Sequence, residues 1–208
     1  MRDRADSISA QSIPPYRIGD IVAIDLPRRK TIRLKDYDYS QTGYYFVTIC
    51  TQNREKIFGQ IVGADSISAQ SETILSNAGM MVEKIYCNMQ NEFKNVVFHE
   101  YIFMPNHFHG IIQIQWADME SRAHMDSRAH MESAPTTANL STIIQSFKRY
   151  TTIEYIHGVK NDIYPLFNKR IWQRGYHEHI IRNEQELQKI REYIINNPAK
   201  WQEDKYFI

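Results

Sequence analysis

The chain has 208 residues, of which 42% are hydrophobic and 24% charged, a balance that excludes fibrous and disordered classes and fits a single decorated domain. No apolar run approaches the ~20 residues that cross a bilayer, and MRDRADSISAQS has no apolar signal core, so a cytoplasmic protein with no membrane partner is expected. Two distant cysteines, Cys50 and Cys87, exclude a disulfide framework and a cysteine-built zinc site, and a net charge of +1 carries no bulk signal of nucleic-acid binding.

The first notable segment is basic: Arg28, Arg29, Lys30, Arg33 and Lys35 fall in a stretch without acids and are candidates to neutralise phosphates. Residues 1–27 read as an N-terminal extension to one domain spanning 28–208. ADSISAQS occurs at 5–12 and again at 64–71, and SRAHM occurs at 121–125 and 127–131. These small polar repeats read as loop inserts near 64–71 and 117–138, which a fold tolerates because loop closure costs rise slowly with length.

Residues 43–52 (GYYFVTICTQ) are β-branched and aromatic and predict a strand. Leu75, Ala78, Val82, Ile85, Tyr86 and Met89 repeat at helical spacing and predict a helix over 74–93. Strands at 96–103 and 107–116 flank Met104-Pro105-Asn106, which marks a hairpin. Leu140, Ile143, Ile144 and Phe147 define a second helix over 140–157, and an edge strand is expected near 170–182. Asn183 with Glu186 forms a capping-box pattern that opens a last helix, ended by Pro198 near Asn197. The order β-α-β-β-α-β-α predicts an α+β sandwich of the ferredoxin-like kind, with an antiparallel sheet and helices on one face.

Three polar features carry chemistry. In His107-Phe108-His109, strand alternation puts both imidazoles on one face, where they can share a metal ion or remain two ordinary strand histidines. Tyr193 and Asn197 lie one helical turn apart, at the margin of the stripe formed by Leu187, Ile190 and Ile194. The segment Trp172–Arg182 contributes Arg174, His177, His179 and Arg182 as a wall for phosphates and bases, or else a charged edge strand. Lys148 and Arg149 on the second helix are further candidate phosphate contacts.

Taken in order, Met104-Pro105-Asn106-His107-Phe108-His109, then WQRGYHEHIIRN, then Glu192-Tyr193-Ile194-Ile195-Asn196-Asn197-Pro198 resemble the single-tyrosine HUH transposases, in their REP-associated branch. Thr31-Ile32-Arg33-Leu34, Tyr37-Asp38-Tyr39 and GYYFVTICTQNR extend the resemblance over roughly 28–62 and 74–201. It implies an HUH sandwich that cleaves and rejoins single-stranded or hairpin DNA through a 5′-phosphotyrosine. It implies Tyr193 as nucleophile, and His107, His109 and Asn197 as ligands of a divalent cation. A mixed nitrogen and oxygen set open to phosphate suits Mg²⁺ or Mn²⁺. A prokaryotic, nucleoid-associated protein, monomeric or a homodimer, is then expected. The alternatives are a domesticated binder of structured nucleic acid that does not cleave, and a metal-dependent nuclease that uses water.

Overall fold

Strict alternation along Gly43–Cys50 (β1) sets the architecture: Tyr45, Val47 and Ile49 are buried on one side while Tyr44, Phe46 and Thr48 face the other. The structure, a computed structural model, describes residues 37–63, 71–115 and 139–207. The elements that follow β1 are β2 (Gly59–Val62), β3 (Glu72–Leu75), α1 (Asn77–Asn88), β4 (Val96–Met104), β5 (His107–Ile114), α2 (Leu140–Lys160), β6 (His177–Ile181) and α3 (Glu184–Asn196). Short 3₁₀ turns occupy Gln52–Arg54, Met89–Asn91 and Pro198–Glu203. Among these helices none is long and apolar enough to cross a membrane.

The main sheet has the order β4-β5-β1-β6 and is antiparallel throughout, as the predicted α+β sandwich requires. Pro105 and Asn106 alone join β4 to β5, because Met104 pairs with His107. A register shift between Phe98 and Tyr101 inserts an extra residue in β4. Phe98, Tyr101 and Phe103 therefore all turn toward Tyr86 of α1, with ring centroids 5.1, 4.9 and 6.1 Å away.

Three expectations are corrected. The first helix starts at Asn77 instead of 74, because Glu72–Leu75 pairs with Gly59–Val62 as a separate ribbon flanking the 64–71 repeat. β-branched Thr73 and Ile74 favour that pleat, and Ser76 caps the helix by accepting from the Gly79 N–H at 3.1 Å. The edge strand is shorter than expected, since only His177–Ile181 pairs with β1. The helices cover both faces of the sheet: α1 and α2 pack over Tyr45, Val47, Phe108 and Ile112, while α3 packs over Ile111 and Ile181. The reason lies in α3, whose stripe of Leu187, Ile190 and Ile194 completes the smaller apolar cluster on the far face. Residues 1–27, the basic run at 28–35, and the inserts at 64–70 and 117–138 lie outside the described residues.

Candidate metal and tyrosine site

Along β5 the parity that buries Phe108 and Ile112 in the larger core turns His107, His109 and Ile111 to the face under α3. Both histidines are closed off from solvent, at 0% and 1% exposure. Their Nε2 atoms lie 3.0 Å apart. Each imidazole is held from behind. The Asn106 amide donates from Nδ2 to the Tyr206 carbonyl at 2.9 Å, so its Oδ1 faces His107 Nδ1 at 2.8 Å. An N–H at His107 Nδ1 satisfies that oxygen and leaves Nε2 as a bare lone pair. Thr48 Oγ1 holds His109 Nδ1 at 2.8 Å from the adjacent strand.

Aromatic rings complete the enclosure. Phe46 stacks on His109 at 5.3 Å, and Tyr206 lies 4.7 Å from the His107 ring. Burial lowers the His107 pKa to about 4 and pushes that of His109 well below its ordinary value, so both rings are neutral near pH 7. Two neutral imidazoles whose outer nitrogens are occupied and whose inner nitrogens converge could together hold a metal ion, with the groups that would orient them already in place.

Tyr193 reaches this point from α3. Its hydroxyl is 3.3 Å from His109 Nε2, and its ring meets Phe46 edge-on at 6.0 Å. It remains 40% exposed, so the hydroxyl is anchored beside the histidines while the ring borders open space. Burial, and then the Asp204 carboxylate, raise its pKa to about 12. A cleft of about 810 Å³ opens at this point, and its walls include Phe46, His109, His179, Tyr193, Lys200 and Lys205.

Asn197, one turn beyond Tyr193, is buried at 2% exposure. Its Nδ2 donates to Asp204 Oδ2 at 3.2 Å, and its Oδ1 has no hydrogen-bond partner. Asp204 is the residue that sequence reasoning missed. Its side chain is 3% exposed, its Oδ2 lies 3.9 Å from His107 Nε2, and its Oδ1 accepts the Tyr206 N–H at 2.7 Å. Donor atoms of His107, His109 and Asp204 all lie within 4.8 Å of one another, so the three could hold a metal ion. Asp204 follows an irregular turn, where no periodicity places a side chain. The only hint was an acid set between Trp201 and Tyr206 in a chain end that must pack its aromatics somewhere.

The candidate phosphate contacts separate into groups. His177 and His179 sit on the same sheet face as His109, opposite Thr48 and Phe46 of β1. His179 Nε2 is 2.7 Å from Glu186 Oε1, whose other oxygen accepts the Arg182 N–H at 2.8 Å. Arg174 and Arg182 are exposed on either side of β6. Lys148 and Arg149 belong to α2, across the sheet from the histidines. Lys148 Nζ donates to the carbonyls of Gln173 and Gly175 at 2.9 and 2.7 Å, which ties down the approach to β6. Arg28, Arg29, Lys30, Arg33 and Lys35 lie outside the described residues.

No protein-family model matches the chain. An uncharacterized protein of Haemophilus influenzae is 34% identical over 183 residues, covering 86% of this chain and 93% of that protein. Among solved structures, the REP-associated tyrosine transposase bound to a REP hairpin matches with a TM-score of 0.51 and 17% identity. That match covers 83% of this chain and 76% of the transposase, a likeness of fold.

Proposed function

We propose, for a chain that belongs to one family with the Haemophilus influenzae protein and has the fold of the REP-associated tyrosine transposase, that it is itself a transposase of the single-tyrosine HUH kind. It cleaves and rejoins single-stranded or hairpin DNA. The observation that carries this reading is the Tyr193 hydroxyl standing 3.3 Å from one of two converging, buried imidazoles.

Tyr193 Oη is the nucleophile. With its pKa raised to about 12 the phenol is protonated near neutral pH, so it loses its proton as the new bond to phosphorus forms. Attack on the scissile phosphodiester joins Oη to phosphorus and releases the 3′-oxygen, leaving a 5′-phosphotyrosine. Attack by a 3′-hydroxyl on that link reverses the step and rejoins the strand. His107 and His109, both neutral, would hold a divalent cation, Mg²⁺ or Mn²⁺, that polarises the phosphate and stabilises the departing oxygen. Phe46, stacked on His109 and edge-on to Tyr193, keeps the ring and the imidazole in register. Lys189, Lys200 and Lys205 at the cleft could each meet a phosphate, beside the carboxylates of Glu186, Glu192 and Glu203, and His177 with His179 extends the same face toward the sheet edge.

A labelled hairpin oligonucleotide incubated with the protein and Mn²⁺ or Mg²⁺ tests the reading on a denaturing gel. A labelled band at the size of a protein–DNA adduct is expected. Free cleavage products without any adduct would point instead to a nuclease using water, and retarded but intact DNA to a binding protein.

A further inference from the structure

The proposed metal site leaves open which oxygen donor joins the two imidazoles. Asn197 stands at the helical position next to Tyr193, yet the end of its amide turned toward Asp204 is the NH₂ group, which has no lone pair for a cation. Rotating the amide would set Asn197 Oδ1 against Asp204 Oδ2 at the present 3.2 Å, two acceptors facing each other in a buried place. The carboxylate thus dictates the amide orientation, and the orphaned Asn197 Oδ1 is its consequence. Asp204 itself is unbalanced. Its side chain is 3% exposed, and among the described residues it makes no ion pair with a lysine or arginine. Its hydrogen-bond donors are the Asn197 amide and the Tyr206 backbone, with the Tyr193 hydroxyl also close enough to interact, and the buried His107 Nε2 stands 3.9 Å away. A buried carboxylate in such company calls for a cation.

We infer that Asp204 is the third ligand of the metal ion, and that Asn197 is a positioning residue which holds the Asp204 carboxylate through its Nδ2. The inference rests on the metal site proposed above. It makes the segment after Pro198 part of that site: the Asn106 amide, which orients His107, also anchors this segment through the Tyr206 carbonyl. A ligand set of two neutral imidazoles and one carboxylate leaves the ion with a single net positive charge and with open positions for phosphate and water.

Mn²⁺ affinity of the full chain, read from the electron paramagnetic resonance signal of the free ion, tests the assignment with no DNA present. Wild type, D204N and N197A are compared after thermal melts show each to be folded. D204N is expected to bind Mn²⁺ on the order of 100-fold more weakly, and N197A about tenfold more weakly, as for loss of a residue that orients a ligand. Undiminished binding by D204N, with binding lost in N197A, would overturn the assignment in favour of the amide. Wild-type protein that binds no Mn²⁺ would overturn the metal site as well. A readout free of any variant is nuclear coupling between bound Mn²⁺ and isotope-labelled aspartate carboxylate carbon in the wild-type complex. A direct coupling is expected, and its absence would overturn the inference even if D204N cannot be folded.

Discussion

The two faces of the central sheet use the same strands for opposite ends. Beneath α1 and α2, the residues Tyr45, Val47, Ile49, Phe108 and Ile112 belong to one large apolar core, with Phe108 4.8 Å from Phe103 and 5.7 Å from Phe147. Beneath α3, shifted by one residue along each strand, Phe46, Thr48, His107, His109 and Ile111 form a smaller layer in which the Nδ1 atom of each imidazole is held by a polar side chain. The first face holds the molecule together through area removed from water. It thereby allows the second to keep uncharged imidazoles out of solvent at positions where an aliphatic side chain would contribute more stability.

Substitutions on the two faces should therefore separate activity from stability. The largest effect is expected at Tyr193. Tyr193→Phe should lower adduct formation on hairpin DNA by on the order of 10⁴-fold or more, as loss of a nucleophile does. Its melting temperature should stay near that of wild type, because the ring packing against Phe46 survives. A fall in stability as large as the fall in activity would blur the division between faces.

On the core face the balance reverses. Phe108→Ala, at a side chain with 0% exposure, should cost about 3–5 kcal/mol in denaturant unfolding. At temperatures where the variant is still folded, Mn²⁺ binding should be retained. Selective loss of Mn²⁺ binding in a well-folded Phe108→Ala protein would show that the two faces are more tightly coupled than their separate clusters imply.

A smaller effect comes from pH. His107 is buried with its pKa lowered to about 4, against about 6.5 in an unfolded chain. Between those values the unfolded state binds the extra proton, so stability falls as pH drops from about 6.5 toward 4. The slope should approach about 1.4 kcal/mol per pH unit for each such histidine, measured by denaturant unfolding without divalent ions. His109, shifted in the same direction, should add to it. A flat profile would mean that the imidazoles are not held neutral by burial.

The smallest effect concerns Lys148, a candidate phosphate contact whose ammonium is engaged by the carbonyls of Gln173 and Gly175. Lys148→Met should cost about 1–3 kcal/mol of stability through those two charged hydrogen bonds. It should leave hairpin affinity, measured by fluorescence anisotropy, within about twofold, since one phosphate contact fewer would instead change the salt dependence. A reduced salt slope in Lys148→Met would instead support Lys148 as a phosphate contact.

Much of this was legible in the chain itself, because periodicity reports which face of an element meets its neighbours. The alternation 44–50, the hairpin around Pro105 and Asn106, and the Asn183 cap that accepts from the Glu186 N–H at 2.9 Å are local patterns that needed no partner to be read. The same alternation put His107 and His109 side by side, and the helical repeat put Tyr193 and Asn197 one turn apart. Residues 74 and 75 read as helix from the sequence because Leu75 also satisfies a helical repeat with Ala78 and Val82, and only pairing with Gly59–Val62 assigns them to the ribbon.

What local pattern could not decide is which face of the sheet α3 covers and where the residues after Pro198 go. Both depend on long-range packing: Leu187, Ile190 and Ile194 close over Ile111 and Ile181, and Tyr206 comes to rest against His107. Spacing placed the histidines side by side and the tyrosine and amide one turn apart, and the motif resemblance nominated them as a site, whereas the 3.3 Å approach of Tyr193 and the arrival of Asp204 required the tertiary structure. Distances between elements far apart in sequence are set by how apolar surfaces are buried together, and spacing along one element carries no record of that.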